Sequence, residues 1–135
     1  MTSPDANPRV DDISESGQKA PVRILVVDDS HFGREAVREL LEIQGHVVVG
    51  EVADGASAIA AARDLRPEAI LVDVALADED GLVVARRLVA ERPDVPVVLM
   101  SVDPVSRADV AASGARGFVI KQDLPNVELV QVIQD

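Results

Sequence analysis

From Pro21 onward, short apolar runs alternate with stretches of helical periodicity. Arg23-Ile-Leu-Val-Val27 is continuous and β-branched, which predicts a strand buried on both faces. Ser30 then offers a helix N-cap, and Phe32, Val37, Leu40, Leu41 and Gln44 follow at helical spacing up to Gly45, a natural residue just past a helix end. His46–Val52 reads as a second strand, and Asp54 caps a helix through Ala56–Arg63 that stops before Pro67. Ala69–Val74 is a third strand. An acidic loop at 77–80 leads to Gly81 and a helix over Leu82–Glu91, fenced off by Pro93 and Pro96. Val97–Ser101 is a fourth strand, followed by a helix over Val105–Ala112 that begins near Pro104 and ends at Gly114. Arg116–Lys121 is a fifth strand, and Pro125–Gln134 is a closing helix with proline in its first turn.

Five strands alternating with five helices through short connections imply right-handed crossovers and an α/β, doubly wound parallel sheet covered on both faces. Residues 1–20 carry Pro4, Pro8, Ser14, Ser16 and Gly17 with scattered charges and little periodicity, which predicts a flexible tail ahead of a domain spanning 21–135. In such sheets the ligand site lies beyond the carboxyl ends of the strands, where strand order reverses. The polar residues gather at that edge. Asp28 and Asp29 close the first strand, Asp73 the third, Ser101 the fourth and Lys121 the fifth.

Composition narrows the chemistry. The 135 residues are 47% hydrophobic but 1% aromatic, so aliphatic side chains must build the core, and without Trp or Tyr there is little to stack on bases or a flat cofactor. Absence of cysteine excludes disulfides, zinc–thiolate sites and thiol catalysis, and fits a cytoplasmic location. A net charge of −11 with no basic patch argues against direct nucleic-acid binding, since Arg86 and Arg87 fall in a helical pattern as a solvated face. No apolar run approaches the ~20 residues that span a bilayer, and Met1–Pro8 lacks a secretory apolar core. His31 reads as solvent-facing and His46 as packing or capping a turn, so a transition-metal site is not expected. Asp78 and Glu79 read as solvated loop, with Asp80 capping the next helix.

The acid cluster has a bland reading and a functional one. Asp29 or Ser30 can cap the first helix with Asp28 a solvated neighbour, but Asp73 ends a strand with no helix directly after it. Carboxylates brought together where buried strands emerge repel unless something binds them, and an all-oxygen ligand set favours a hard cation such as Mg²⁺.

The chain resembles the receiver domain of bacterial two-component response regulators over about residues 22–135. The resemblance rests on Ile24-Leu-Val-Val-Asp-Asp-Ser30, Ala53-Asp-Gly55, Leu71-Val-Asp73 with Asp80-Gly81, Val97-Val-Leu-Met-Ser101, and Gly114-Ala-Arg-Gly-Phe-Val-Ile-Lys121, in that order. It implies a flavodoxin-like, five-stranded sheet in the order 2-1-3-4-5. It also implies that Asp73 accepts a phosphoryl group from a histidine kinase or phosphotransfer protein. Asp28, Asp29, Asp73 and the backbone carbonyl of Ala75 would hold Mg²⁺, Lys121 and Ser101 would meet phosphoryl oxygens, and Phe118 would move with Ser101. The output would be a protein target or a homodimer engaged through the fourth helix, fifth strand and fifth helix, roughly residues 105–133. The chain would act as a phosphoacceptor switch, not a turnover enzyme.

Some positions depart from the family pattern. Leu76-Ala77 stands where Met-Pro is common, Val102 where a smaller residue follows the serine, and Gln122 where many members carry a cis-proline, so a trans bond is expected there. Asp103 and Ala75 occupy positions that tune phosphate hydrolysis in the family. A pseudo-receiver that works without phosphorylation is the alternative in another class, opposed by the intact Asp28, Asp29, Asp73, Ser101 and Lys121 set. Lys121-Gln-Asp-Leu-Pro125 also resembles receivers that precede a helix-turn-helix, so the chain reads either as a single-domain regulator or as the receiver of a longer DNA-binding one. A flavin protein would want a phosphate loop after the first strand, and a dehalogenase-type phosphatase two aspartates one residue apart; neither fits Asp28-Asp-Ser-His-Phe32.

Overall fold

The computed structural model describes residues 21–134; the expected tail at 1–20 lies outside the described residues. The strands are β1 (Arg23–Val27), β2 (Val47–Val52), β3 (Ala69–Asp73), β4 (Val97–Ser101) and β5 (Gly117–Ile120). Between and after them run α1 (His31–Ile43), α2 (Gly55–Leu65), α3 (Gly81–Glu91), α4 (Arg107–Ser113), a 3₁₀ segment (Lys121–Asn126) and α5 (Leu129–Gln134). All strand pairs are parallel, in the order β2-β1-β3-β4-β5, the doubly wound arrangement the sequence implies.

Alternation along each strand divides the core into two layers. Leu25, Val27, Ile70, Val72, Val97 and Leu99 face Ala58, Ile59 and Ala62 of α2 and Val84, Ala85 and Leu88 of α3. Ile24, Val26, Leu71, Val98 and Met100 face Val37 and Leu41 of α1 with Leu124 and Leu129. With both faces covered, the three central strands read as unbroken apolar runs. Fully buried Ala58, Ala62 and Ala85 keep the helices close to the sheet without aromatic filler.

The caps expected at Ser30, Asp54 and Asp80 form, each side chain accepting a backbone N–H of its helix's first turn. Three local expectations are corrected. Phe32 is 82% exposed and outside the core; at about 100° per residue it lies roughly 140° around α1 from Val37. The fourth helix starts at Arg107, not Val105, because Ser106 caps it by accepting from Asp109 N at 3.1 Å. The closing helix does not begin at Pro125, which sits inside the 3₁₀ segment; Val127 is extended and α5 starts at Leu129. Tertiary anchoring overrides helical pattern there, since Leu124 is buried and Gln44 Nε2 donates to its carbonyl at 3.2 Å.

Candidate phosphoryl-transfer site

Strand order reverses between β1 and β3, and their register carries the acids to the same edge. Val27 pairs with Val72, so Asp28 and Asp73 come next on adjacent strands. Carboxylate oxygens of Asp28, Asp29 and Asp73 all lie within 4.8 Å of one another. Asp28 is fully buried, Asp73 nearly so, and Asp29 exposed.

Asp28 is held from several directions. Its backbone N–H continues the ladder to Val52 O at 3.0 Å. Its Oδ1 accepts from Ser30 N at 2.9 Å and its Oδ2 from Lys121 Nζ at 2.9 Å, while Arg34 Nη1 donates to its carbonyl at 2.7 Å. The first turn of α1 comes so close that a Cβ on Gly33 would stand 2.8 Å from Asp28 Oδ2. Glycine at that position lets the helix start against the carboxylate.

Asp73 is oriented by its own loop and by the same lysine. Its Oδ1 accepts from Ala75 N at 3.0 Å and its Oδ2 from Lys121 Nζ at 2.8 Å. Burial pushes the Asp73 carboxyl above the ordinary carboxylate range, against the Lys121 and Ala75 hydrogen bonds that lower it; the charge of Asp28 is the smallest contribution. Mutual repulsion, the cause expected from sequence, is therefore secondary to desolvation. For Lys121, burial alone would lower the ammonium, but its bonds to Asp73 and Asp28 outweigh burial and hold it above its usual value.

The loop after Asp73 folds back on itself. Ala75 and Asp80 form an antiparallel bridge, and Gly81 N donates to Val74 O at 2.8 Å. A Cβ on Gly81 would overlap the carbonyl oxygen of Asp73 and stand 2.6 Å from Val74 Cα, which gives the Asp80-Gly81 pair a steric reason. Glu79, expected as solvated loop, instead accepts from Gly55 N at 2.8 Å across the gap to α2. The sequence offered one hint, a glycine directly after the α2 cap Asp54, where a Cβ would approach Glu79 Oε1 to 2.6 Å.

Ser101 is buried at the end of β4, and its Oγ accepts from Asp103 N at 3.2 Å. It pairs with Ile120, and Leu99, two residues earlier, pairs with Phe118. Ser101 and Phe118 thus share one face of the sheet. Phe118 is half-buried against the layer formed with α2 and α3. Val102, beside Ser101, is 73% exposed. The Lys121–Gln122 bond is trans, as expected; no cis peptide occurs among the described residues. The histidines stay outside the cluster. His31 is exposed beside Glu35 at 3.5 Å, and buried His46 accepts from Val22 N at its Nδ1.

The donor set fits a small divalent cation. Among the described residues, three carboxylates face a single ammonium with no histidine or cysteine ligand in the group, and one of the acids opens to solvent. Asp73 is the only one of the three on a loop-connected strand end with a lysine and a serine-bearing strand beside it, an arrangement suited to attack on a phosphoryl group whose oxygens need neutralising.

A family model described as the response regulator receiver domain matches residues 24–134. Response regulator GacA of Pseudomonas viridiflava is 36% identical over 117 residues, covering 84% of this chain and 54% of the relative. A LuxR-family two-component response regulator from Aurantimonas superposes with a TM-score of 0.76 at 30% identity, covering 85% of this chain and 84% of that one. The chemotaxis protein CheY4 of Vibrio cholerae does so with a TM-score of 0.72 at 26% identity, covering 85% and 98%. The chain spans about half the length of the GacA relatives it matches, 54% in two of them.

Proposed function

The chain belongs to the response regulator receiver domain family, and on that premise we propose that it is a phosphoacceptor switch in which Asp73 takes a phosphoryl group from a phosphohistidine of a partner kinase or phosphotransfer protein. The observation that carries this reading is the two-handed grip on Asp73. Ala75 N fixes Oδ1, Lys121 Nζ holds Oδ2, and the acids of β1 stand beside it. An Asp73 oxygen attacks phosphorus, the P–N bond to the donor histidine breaks, and the ring nitrogen leaves with its electron pair, to be neutralised by a proton. The product is an acyl phosphate on the carboxylate.

Asp28, Asp29, Asp73 and the Ala75 carbonyl are the groups that would hold Mg²⁺, which when bound supplies positive charge against the phosphoryl oxygens. Lys121 spans Asp28 and Asp73, which supports a role in which it transfers one of its bonds to a phosphoryl oxygen once Asp73 becomes an acyl phosphate. Ser101 exchanges its Asp103 contact for another phosphoryl oxygen, and Phe118, on the same face, repacks as Ser101 moves. That repacking alters the surface of α4, β5 and α5, where a protein target or a second copy docks. The chain assists its own phosphorylation but does not turn over substrate. No helix among the described residues is long and apolar enough to cross a membrane, and a cytoplasmic setting with no direct nucleic-acid contact by this chain completes the reading.

Incubation with acetyl phosphate and Mg²⁺ followed by intact-mass measurement tests it. The expected result is one phosphoryl adduct in the native chain and none in Asp73→Asn. An adduct that persists in Asp73→Asn, or no adduct in either, overturns the proposal.

A further inference from the structure

Resting on the reading of Asp73 above, we infer that Glu79 is a positioning residue: its carboxylate latches the loop after Asp73 to the start of α2 and so holds the loop in the shape that orients the reacting carboxylate. The loop from Val74 to Asp80 is pinned at its start, where Met100 O accepts the Val74 N–H at 2.9 Å and Val74 O accepts from Gly81 N, but less firmly beyond it. Leu76 tucks into the core, but Ala75, Ala77, Asp78 and Asp80 are exposed, and one antiparallel bridge between Ala75 and Asp80 closes it. Proline, which would stiffen such a loop by fixing φ, is absent from it.

Glu79 supplies a tether from outside. Its Oε2 accepts the Gly55 N–H at 2.8 Å, one of the backbone donors that the first turn of a helix leaves without an intrahelical partner. The site is built for this approach. A Cβ on Gly55 would stand 2.6 Å from Glu79 Oε1 and 3.0 Å from Val84 Cγ2. From Glu79 the restraint passes through Asp80 to Gly81, whose N–H donates to Val74 O at 2.8 Å in the Ala75–Asp80 bridge, and from Val74 to Ala75, whose N–H donates to Asp73 Oδ1 at 3.0 Å. Every link is a hydrogen bond or an adjacent peptide, so loss of the latch acts on the Asp73 carboxylate and on the Ala75 carbonyl together.

α2 carries a second side-chain cap that separates this role from mere helix capping. Asp54 Oδ1 accepts from Ser57 N at 2.8 Å and touches the same helix terminus without tying it to the loop. Glu79→Ala, Glu79→Gln and Asp54→Ala are compared with the native chain by amide hydrogen exchange in metal-free buffer and by the Mg²⁺ concentration that half-saturates the thermal shift. Glu79→Ala is expected to speed exchange across residues 74–81 on the order of tenfold and to weaken the apparent Mg²⁺ affinity about tenfold. Glu79→Gln, which keeps an oxygen to accept from Gly55, restores much of both. Asp54→Ala lowers the melting temperature but moves neither. Gly55→Ala, which crowds the carboxylate while favouring the helix, should reproduce the faster exchange in a chain that remains folded. If Glu79→Ala leaves loop exchange and Mg²⁺ affinity at native values, or if Asp54→Ala changes them equally, the latch is overturned. A native chain with no Mg²⁺ shift overturns the reading of the site instead, and the exchange measurement then decides on the latch alone.

Discussion

The two strand ends that build the acid cluster are held in opposite ways. After β1 the chain turns within three residues into α1, and Asp28 is fully buried with both carboxylate oxygens bonded and glycine admitting the helix against it. After β3 the chain needs seven residues, 74–80, to reach α3, and Asp73 depends on that loop for one of its two carboxylate contacts. The first end is a fixed electrostatic floor. The second is adjustable, as the proposed gain and loss of a phosphoryl group on Asp73 requires. Among the described residues, Lys121 is the one side chain that bonds to both Asp28 and Asp73.

Removing that shared cation should have the largest effect on stability. Lys121→Met leaves Asp28 buried at 0% exposure without its ammonium partner, and is expected to cost about 3 kcal/mol in urea unfolding. Asp28→Asn in the same chain should return most of the loss; a purely additive double mutant would show that the two groups do not act as a pair.

Two glycines sharpen the contrast between the ends. A methyl at Gly81 overlaps backbone, the Asp73 carbonyl, whereas one at Gly33 meets the Asp28 side chain. Gly81→Ala is therefore expected to destabilise by about 2 kcal/mol. Gly33→Ala should cost less, because alanine regains up to roughly 1 kcal/mol of helix propensity in α1. Equal losses in both variants would contradict a rigid backbone contact behind Asp73.

Cation binding gives a smaller shift. Millimolar Mg²⁺ should raise the melting temperature by a few degrees through preferential binding to the folded state, and Asp29→Asn should abolish the rise. In metal-free buffer Asp29→Asn should be at least as stable as a distant surface Asp→Asn variant. An unchanged Mg²⁺ response in Asp29→Asn would remove the exposed acid from the site.

The smallest effect lies far from the cluster. Burial lowers the pKa of His46, whose Nδ1 accepts from Val22 N and cannot do so when protonated. The unfolded chain then binds more protons than the folded one, so stability rises with pH and is lost as pH falls below about 6.5. Thermal melts from pH 8 to 5.5 should show this slope in the native chain and a weaker one in His46→Gln.

Legibility in the sequence followed local determinants. β1, β3 and β4 were readable because strands buried on both faces must be unbroken apolar runs, and their ends fixed the positions of Asp28, Asp73 and Ser101. Caps were readable where a short polar side chain precedes a helix, as at Ser30, Asp54 and Asp80. Phe32 and Pro125 misled because their settings are decided by the azimuth of a helix and by the anchoring of Leu124. Beyond the hint at Gly55, Glu79 reads as solvated loop, since its partner is 24 residues away at the start of α2. The shared grip of Lys121 likewise depends on β1, β3 and β5 meeting at one edge.

In the proposed reaction the adjustable end, not the fixed floor, receives the phosphoryl group. Borohydride reduction after exposure to acetyl phosphate and Mg²⁺ converts a phosphorylated aspartate to homoserine, and peptide sequencing by mass spectrometry locates it. Homoserine at position 73 alone is the predicted result; homoserine at position 28 or 29, or at none of the three, contradicts it.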